Sequence, residues 1–149
     1  MQWRKVMVCA NRLLPPFARK WFHPSANAQE CNDVSERYWQ NDEQDKDIQW
    51  WRAKGSDTFG PVGPWIVTGL DWSNLELRVR VNGEVKQQDR TSRLIHDAAG
   101  IVSMISRYVT LQPGDLIFTG TPGATSALKP GDVVEVEIEG IGVLRNSVE

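Results

Sequence analysis

Apolar and charged residues alternate strictly in two stretches of the second half of the chain. Residues 75–81 read LELRVRV and residues 134–138 read VEVEI. A period of two predicts a strand with one face in a core and the other in solvent. Asn82-Gly83 is a strong hairpin-turn signal, so residues 84–88 should return antiparallel. A last strand is expected over residues 140–148, with a bulge at its glycines.

Short apolar runs predict further strands over residues 65–68 and 116–118. The second run is followed by Thr119-Gly120-Thr121-Pro122, and a strand's carboxyl end is a common place for polar site residues in α/β architectures. We therefore treat this turn as a candidate part of a site, although simple strand termination explains the same letters equally well.

A helical spacing of apolar residues between positions 94 and 108 predicts one main helix. Thr91 or Ser92 should cap it, and Pro113-Gly114 should end it. His96 would then lie on the helix, in a surface or interface role. Several half-buried strands with few helices indicate an α+β fold built on a curved, mixed β-sheet.

Composition narrows the class of protein. With 149 residues, 40% hydrophobic residues and a net charge of −2, the chain fits one folded domain and neither a nucleic-acid binder nor a membrane protein. Cys9 and Cys31 predict reduced thiols in a cytoplasmic protein. Residues 1–29 contain basic but no acidic side chains. We expect residues 1–30 to form an atypical basic segment and residues 31–149 to form the domain.

Residues 31–65 mix charged and amide side chains with four tryptophans. Buried charges are costly unless they are paired or bound to metal, so this mixture indicates a solvated face or the wall of a site. If a strand ends here in a helical turn, Asp33, Arg37 and Gln40 share one face. They would offer an oxygen ligand, a carboxylate-binding fork and an amide. An amphipathic turn with a surface ion pair is the simpler alternative.

Several separated motifs together resemble the fumarylacetoacetate hydrolase family. In order, they are the NDVSxRxxQ segment from residue 32, Lys54-Gly55, GPxGPW from residue 60, the TGTP turn from residue 119, and a GD-containing strand before Gly140. The likeness runs from about Cys31 to the C-terminus. It implies the latter part of that family's β-roll catalytic domain, usually a homodimer, and a chain truncated or rearranged at its N-terminus.

The resemblance also implies a site for a small-molecule oxo acid. In this family Mg²⁺ or Mn²⁺ is bound by a Glu-x-Glu pair and the aspartate that corresponds to Asp33. The family pattern places Arg37, Gln40 and Lys54 around the substrate. Thr119 or Thr121 could add a hydroxyl, and the backbone amides of the turn at Gly120 could add anion donors. We therefore expect all six residues to bind substrate and Lys54, Gln40 and Thr121 to take part in catalysis. The expected function is metal-dependent hydrolysis, isomerisation or decarboxylation of 2-oxo or acylpyruvate-like acids, as in aromatic catabolism.

Departures from the family pattern keep other readings open. Glu30 is a single glutamate and does not match the missing pair, and Tyr38 stands where the family usually has aspartate. His23 has no assignable role as a base. One rival is a catalytically inactive remnant of such an enzyme. Another is a carbohydrate-binding module, suggested by seven tryptophans.

Overall fold

A computed structural model describes residues 6–11, 27–112 and 114–149. The described residues form eight strands, three short α-helices and one 3₁₀ turn. In chain order these are β1 (Val6–Asn11), β2 (Asn27–Asn32), α1 (Arg37–Asn41), α2 (Trp51–Gly55), β3 (Val62–Val67), β4 (Glu76–Val81), β5 (Glu84–Arg90), the 3₁₀ turn Thr91–Arg93, α3 (Ala98–Ile105), β6 (Leu116–Phe118), β7 (Val133–Ile138) and β8 (Gly142–Ser147).

The strands form two four-stranded sheets, ordered β3-β2-β1-β6 and β5-β4-β7-β8. Every strand pair in the described part of the chain is antiparallel. The α+β class is confirmed, with two sheets in place of one continuous curved sheet. At eight residues, α3 is the longest helix among the described residues, as expected for one main helix.

The hairpin predicted from the alternation is present. Val81 pairs with Glu84 across a turn in which Asn82 and Gly83 both have positive φ, at 52° and 81°. Asparagine and glycine tolerate this left-handed backbone, which is why the dipeptide marks the turn. The strand predicted over residues 65–68 starts earlier, at Val62, and ends at Val67.

A core of aliphatic side chains lies on the inner face of the second sheet. The alternating positions of β4 and β7 are buried, and β2 and β3 pack against β7 and β8. The core residues are Ala28, Leu75, Leu77, Val79, Val81, Leu128, Val134, Val136, Ile138, Ile141 and Leu144. The period-two pattern therefore identified the buried face correctly, since adjacent side chains in a strand point to opposite faces.

The start of the helix was predicted wrongly. Residues Thr91–Arg93 form a 3₁₀ turn, and α3 is capped by Asp97, whose carboxylate accepts from the backbone N–H of Gly100 at 2.7 Å. Thr91 instead bonds to the residue just before β4, because its hydroxyl oxygen accepts from the N–H of Leu75 at 2.8 Å. His96 lies exposed before the helix and not on it. The helix ends at Ile105, well before Gly114.

Strands from the N-terminal region take part in the first sheet. β1 lies between β2 and β6, and β2 runs across the expected boundary between residues 30 and 31. Cys31 is buried. The side chain of Cys9 and all of His23 lie outside the described residues. None of the helices in the described part of the chain has the length and apolar character needed to span a bilayer.

Candidate active site

The candidate site forms where the end of β2 meets α2. The segment after β2 is tied to α2 by the N–H of Glu36, which donates to the carbonyl of Ala53 at 2.9 Å. The N–H of Asn32 donates to the carbonyl of Pro61 at 3.0 Å, which fixes the same strand end from the other side. Two backbone contacts thus bring together residues that are 17 and 29 positions apart in sequence.

An ion pair between Asp33 and Lys54 lies at this junction. The Nζ of Lys54 donates to Oδ1 and Oδ2 of Asp33 at 2.6 and 2.7 Å, and to the hydroxyl of Ser35 at 2.8 Å. Ser35 is fully buried, and the side chains of Lys54 and Asp33 are 30% and 26% exposed. An ammonium has three donors, so these contacts hold Lys54 in one position.

Asp47 holds the helix that carries Lys54. It is buried, and its Oδ2 accepts from the N–H groups of Arg52 and Ala53 at 2.6 and 3.2 Å. These N–H groups belong to the first turn of α2, where no partner within the helix is available. Asp47 was not among the residues predicted from the sequence, because it lies in a polar stretch that resembles a solvated loop.

Replacing Asp47 by alanine should destabilise the protein by about 1–2 kcal/mol, since a capping carboxylate is lost and buried N–H groups lose their acceptor. The free energy of unfolding, measured by urea denaturation, checks this. Asp71→Ala is the matched control, because Asp71 accepts a backbone N–H in an exposed turn at Ser73. Equal effects of the two substitutions would contradict the role given to Asp47.

Arg37 and Gln40 stand on α1, one turn apart, and both face the ion pair across a cleft. Arg37 is half-buried and Gln40 is buried. The Oε1 atom of Gln40 has no hydrogen-bond partner among the described residues. A buried acceptor without a donor is costly, so this oxygen is suited to receive a hydrogen bond from a bound molecule.

The TGTP turn forms part of the wall of the same cleft. Gly120 and Thr121 line it, and Gly120 has a φ of 109°, which favours glycine. Thr119 does not line this cleft but faces a neighbouring one. The cleft has a volume of about 880 Å³, large enough for a small organic acid.

The structure thus brings six of the seven predicted site residues to one cleft, namely Asp33, Arg37, Gln40, Lys54, Gly120 and Thr121. Its charged lining residues are one carboxylate and two cations, so the cleft carries a net positive charge that suits an anion. Sequence reasoning missed Ser35 and Phe118. Ser35 lies within the NDVS motif, but its spacing alone does not indicate contact with a lysine nineteen residues away.

Comparison with known proteins identifies the family. The model for the fumarylacetoacetate (FAA) hydrolase C-terminal domain matches residues 30–149. The chain belongs to the fumarylacetoacetate hydrolase family. A 2,4-didehydro-3-deoxy-L-rhamnonate hydrolase from Sphingomonas sp. is 41% identical over 128 residues, which cover 78% of this chain and 44% of the relative. The chain spans about half the length of the curated relatives it matches.

Solved structures of the fumarylacetoacetate hydrolase family superpose on nearly the whole chain. A 2-hydroxyhepta-2,4-diene-1,7-dioate isomerase from Mycobacterium marinum has a TM-score of 0.79 at 45% identity, covering 96% of this chain and 56% of that one. A fumarylpyruvate hydrolase from Pseudomonas aeruginosa, solved with Mn²⁺ and pyruvate, has a TM-score of 0.77 at 26% identity, covering 96% and 64%. The relatives are hydrolases and isomerases, and a divalent metal occurs among them.

The residues described here do not by themselves fit a divalent metal. They include no group of three His, Cys, Asp or Glu side chains placed to hold an ion. Both oxygens of Asp33 accept from Lys54, so an ammonium already occupies the carboxylate. A hard cation needs several oxygen ligands, and residues 1–29 contain no Asp or Glu.

Tyr38, which replaces the family's usual aspartate, points away from the cleft. Its side chain is exposed, and its hydroxyl donates to the carboxylate of Asp45 at 3.1 Å. That hydrogen bond is the main cause of a raised pKa for the Tyr38 phenol. The substitution therefore removes a negative charge from the helix that carries Arg37, and it adds no group to the cleft.

Glu30 lies inside the protein and not in the site. It is fully buried in β2, close to Gly142 and Trp65, and neither carboxylate oxygen has a well-aligned hydrogen-bond partner among the described residues. Burial raises the pKa of the Glu30 carboxyl from 4.5 to about 7, and nearby amides of Glu30 and Ile138 offset only part of the rise. The single glutamate upstream of Asp33 is thus a buried acid.

Proposed function

We propose that this chain forms the oxo-acid-binding part of an enzyme active site that hydrolyses, isomerises or decarboxylates 2-oxo or acylpyruvate-like acids. The observation that carries the proposal is the cleft in which the Asp33–Lys54 pair, Arg37 and Gln40 face the TGTP turn. A positively charged cleft of this size suits a small acid. The Mycobacterium marinum structure, named for a seven-carbon dioate, is an enzyme of the same substrate class.

Each side chain in the cleft suits one task in such a reaction. Arg37 offers a planar fork for the substrate carboxylate. Lys54 supplies a compact positive charge, which stabilises the negative charge that develops when a 2-oxo acid becomes an enolate. Gln40 offers its unpartnered oxygen to an enol hydroxyl, and the Thr121 hydroxyl can add a further hydrogen bond.

A second copy of the chain is the proposed partner, as a homodimer, in the cytoplasm. Mg²⁺ or Mn²⁺ at Asp33 would require carboxylates in addition to those that line the cleft, and another chain could supply them. We assign no step of the reaction to the metal, because Lys54 already occupies the carboxylate of Asp33.

The experiment that tests this function is a turnover assay of the purified chain with acetylpyruvate and fumarylpyruvate. Loss of the dioxo-acid absorbance is followed with and without Mn²⁺, and the products are identified by NMR. The proposal predicts turnover above the rate of a Lys54→Met variant. Identical rates for both proteins and for buffer alone would contradict it.

One observation favours the rival hypothesis of an inactive remnant. Among the described residues that line the cleft, Asp33 is the single carboxylate, and it is paired with Lys54. The same assay separates the two readings, because a remnant retains the fold but accelerates none of these reactions. The carbohydrate-binding alternative predicts tryptophan quenching by oligosaccharides, and the family assignment gives it no support.

A further inference from the structure

A second cleft lies on the other side of the TGTP turn. It has a volume of about 740 Å³ and shares Phe118, Gly120 and Thr121 with the first cleft as lining residues. Its apolar lining residues are Leu77, Leu94, Ile95, Ile101, Phe118 and Pro122. An apolar cleft that adjoins an acid-binding cleft provides room for the carbon chain of a bound acid.

Charged side chains and one histidine also line this second cleft. They are Arg90, Arg93, His96 and the single carboxylate Asp89. Arg93 pairs with Asp89 at 3.3 Å, and Arg90 lies 3.6 Å from the carboxylate of Glu139. The cleft therefore combines apolar walls with guanidinium N–H donors, which is the environment that an alkyl or alkenyl chain ending in a carboxylate requires.

The two arginines are held differently. Arg90 is fixed, because its Nε and Nη2 donate to the side chain and the carbonyl of Asn74 at 2.9 and 2.8 Å. Arg93 contacts Asp89 through Nη1 at 3.3 Å, and three quarters of its side chain (75%) is exposed. A guanidinium carries five N–H donors, so this contact leaves Arg93 donors for a second carboxylate.

We propose that the second cleft is a subsite for a distal carboxylate, with Arg93 as its main cation and His96 as an additional N–H donor. The inference rests on the proposed function. It assigns the site to dicarboxylic oxo acids, which place the 2-oxo acid end near Lys54 and the other carboxylate beyond the TGTP turn. Arg93 is then a specificity-determining residue that takes no part in the chemistry.

The test compares two acids of equal length by calorimetric titration of the purified chain. 2-Oxoheptanoate and 2-oxoheptanedioate share the oxo-acid end and differ only in the distal carboxylate. We expect the dianion to bind about five- to tenfold more tightly, as for a charge-assisted hydrogen bond at a partly exposed site. Arg93→Gln should remove this preference and leave the affinity for 2-oxoheptanoate unchanged.

Arg145→Gln is the matched control. Arg145 is similarly exposed (66%) and pairs with one carboxylate, Glu135, at 3.4 Å, but it lines neither cleft. The control should keep the preference of the unmodified chain. Equal affinity for both acids would overturn the subsite while the proposed function stands, and a preference that survives Arg93→Gln would overturn the assignment. If neither acid binds, the proposed function fails and the subsite fails with it.

Discussion

Replacing Glu30 by leucine should stabilise the protein by about 3 kcal/mol more above pH 7 than below pH 4.5, because the pKa difference between 4.5 and about 7 corresponds to this free energy. Between pH 4.5 and about 7, the Glu30 carboxyl keeps its proton in the folded protein, whereas the same carboxyl in the unfolded chain has lost it. The resulting penalty is absent below pH 4.5, grows as the pH rises, and is complete above pH 7. Leucine fills a similar volume and does not ionise.

Urea denaturation of both proteins between pH 4.5 and 8.5 measures this effect. The advantage of Glu30→Leu over the unmodified chain should grow across the interval by about 3 kcal/mol and then level off. Glu84→Leu is the control, since Glu84 is 72% exposed and folding therefore removes little of its side chain from water. A difference between Glu30→Leu and the unmodified chain that stays constant with pH would show that Glu30 ionises freely in the folded protein.

Replacing Lys54 by methionine should reduce kcat/KM for an acylpyruvate by about 10²–10³-fold, as measured when a preorganised donor to a developing oxyanion is removed. Methionine keeps much of the length of the side chain and removes the charge. The substitution also releases Asp33 and Ser35 from their contacts with Nζ. Steady-state kinetics with acetylpyruvate provide the measurement.

Lys86→Met is the matched control for Lys54→Met. The two lysines are similarly exposed, at 33% and 30%, and each pairs with one carboxylate at 2.6 Å, but Lys86 lies on β5 and lines neither cleft. The control should keep full activity. Activity of Lys54→Met within threefold of the control would mean that this lysine has no catalytic part.

Local patterns predicted the second sheet well, because each of its signals is contained in a few neighbouring residues. The alternation of 75–81 and the turn at Asn82-Gly83 specify a strand and its return without reference to the rest of the chain. The helix start was less predictable, since Thr91, Ser92 and Asp97 are all good caps. The contact of Thr91 with Leu75, sixteen residues away, decides between them, and sequence spacing does not reveal such a contact.

The site was predicted partly by spacing and partly by family resemblance. An offset of three placed Arg37 and Gln40 on one face of a helical turn, and α1 has them there. Asp33 was expected on the same face by its offset of four, but it lies before α1 begins. The contact between Lys54 and Asp33 depends on how α2 packs against the end of β2. The burial of Glu30 also depends on packing. Strand β2 places Glu30 between the two sheets, and the sequence does not reveal how these sheets pack against each other.

The most direct test of the proposed site is a calorimetric titration with oxalate, a planar mimic of an enolate. It is carried out on the unmodified chain, Lys54→Met and Lys86→Met, first with a chelator and then with Mn²⁺. We predict saturable binding to the unmodified chain and to Lys86→Met, and its loss in Lys54→Met. If the unmodified chain binds no oxalate in either buffer, or if Lys54→Met binds it equally well, the cleft around Asp33 and Lys54 is not an oxo-acid site.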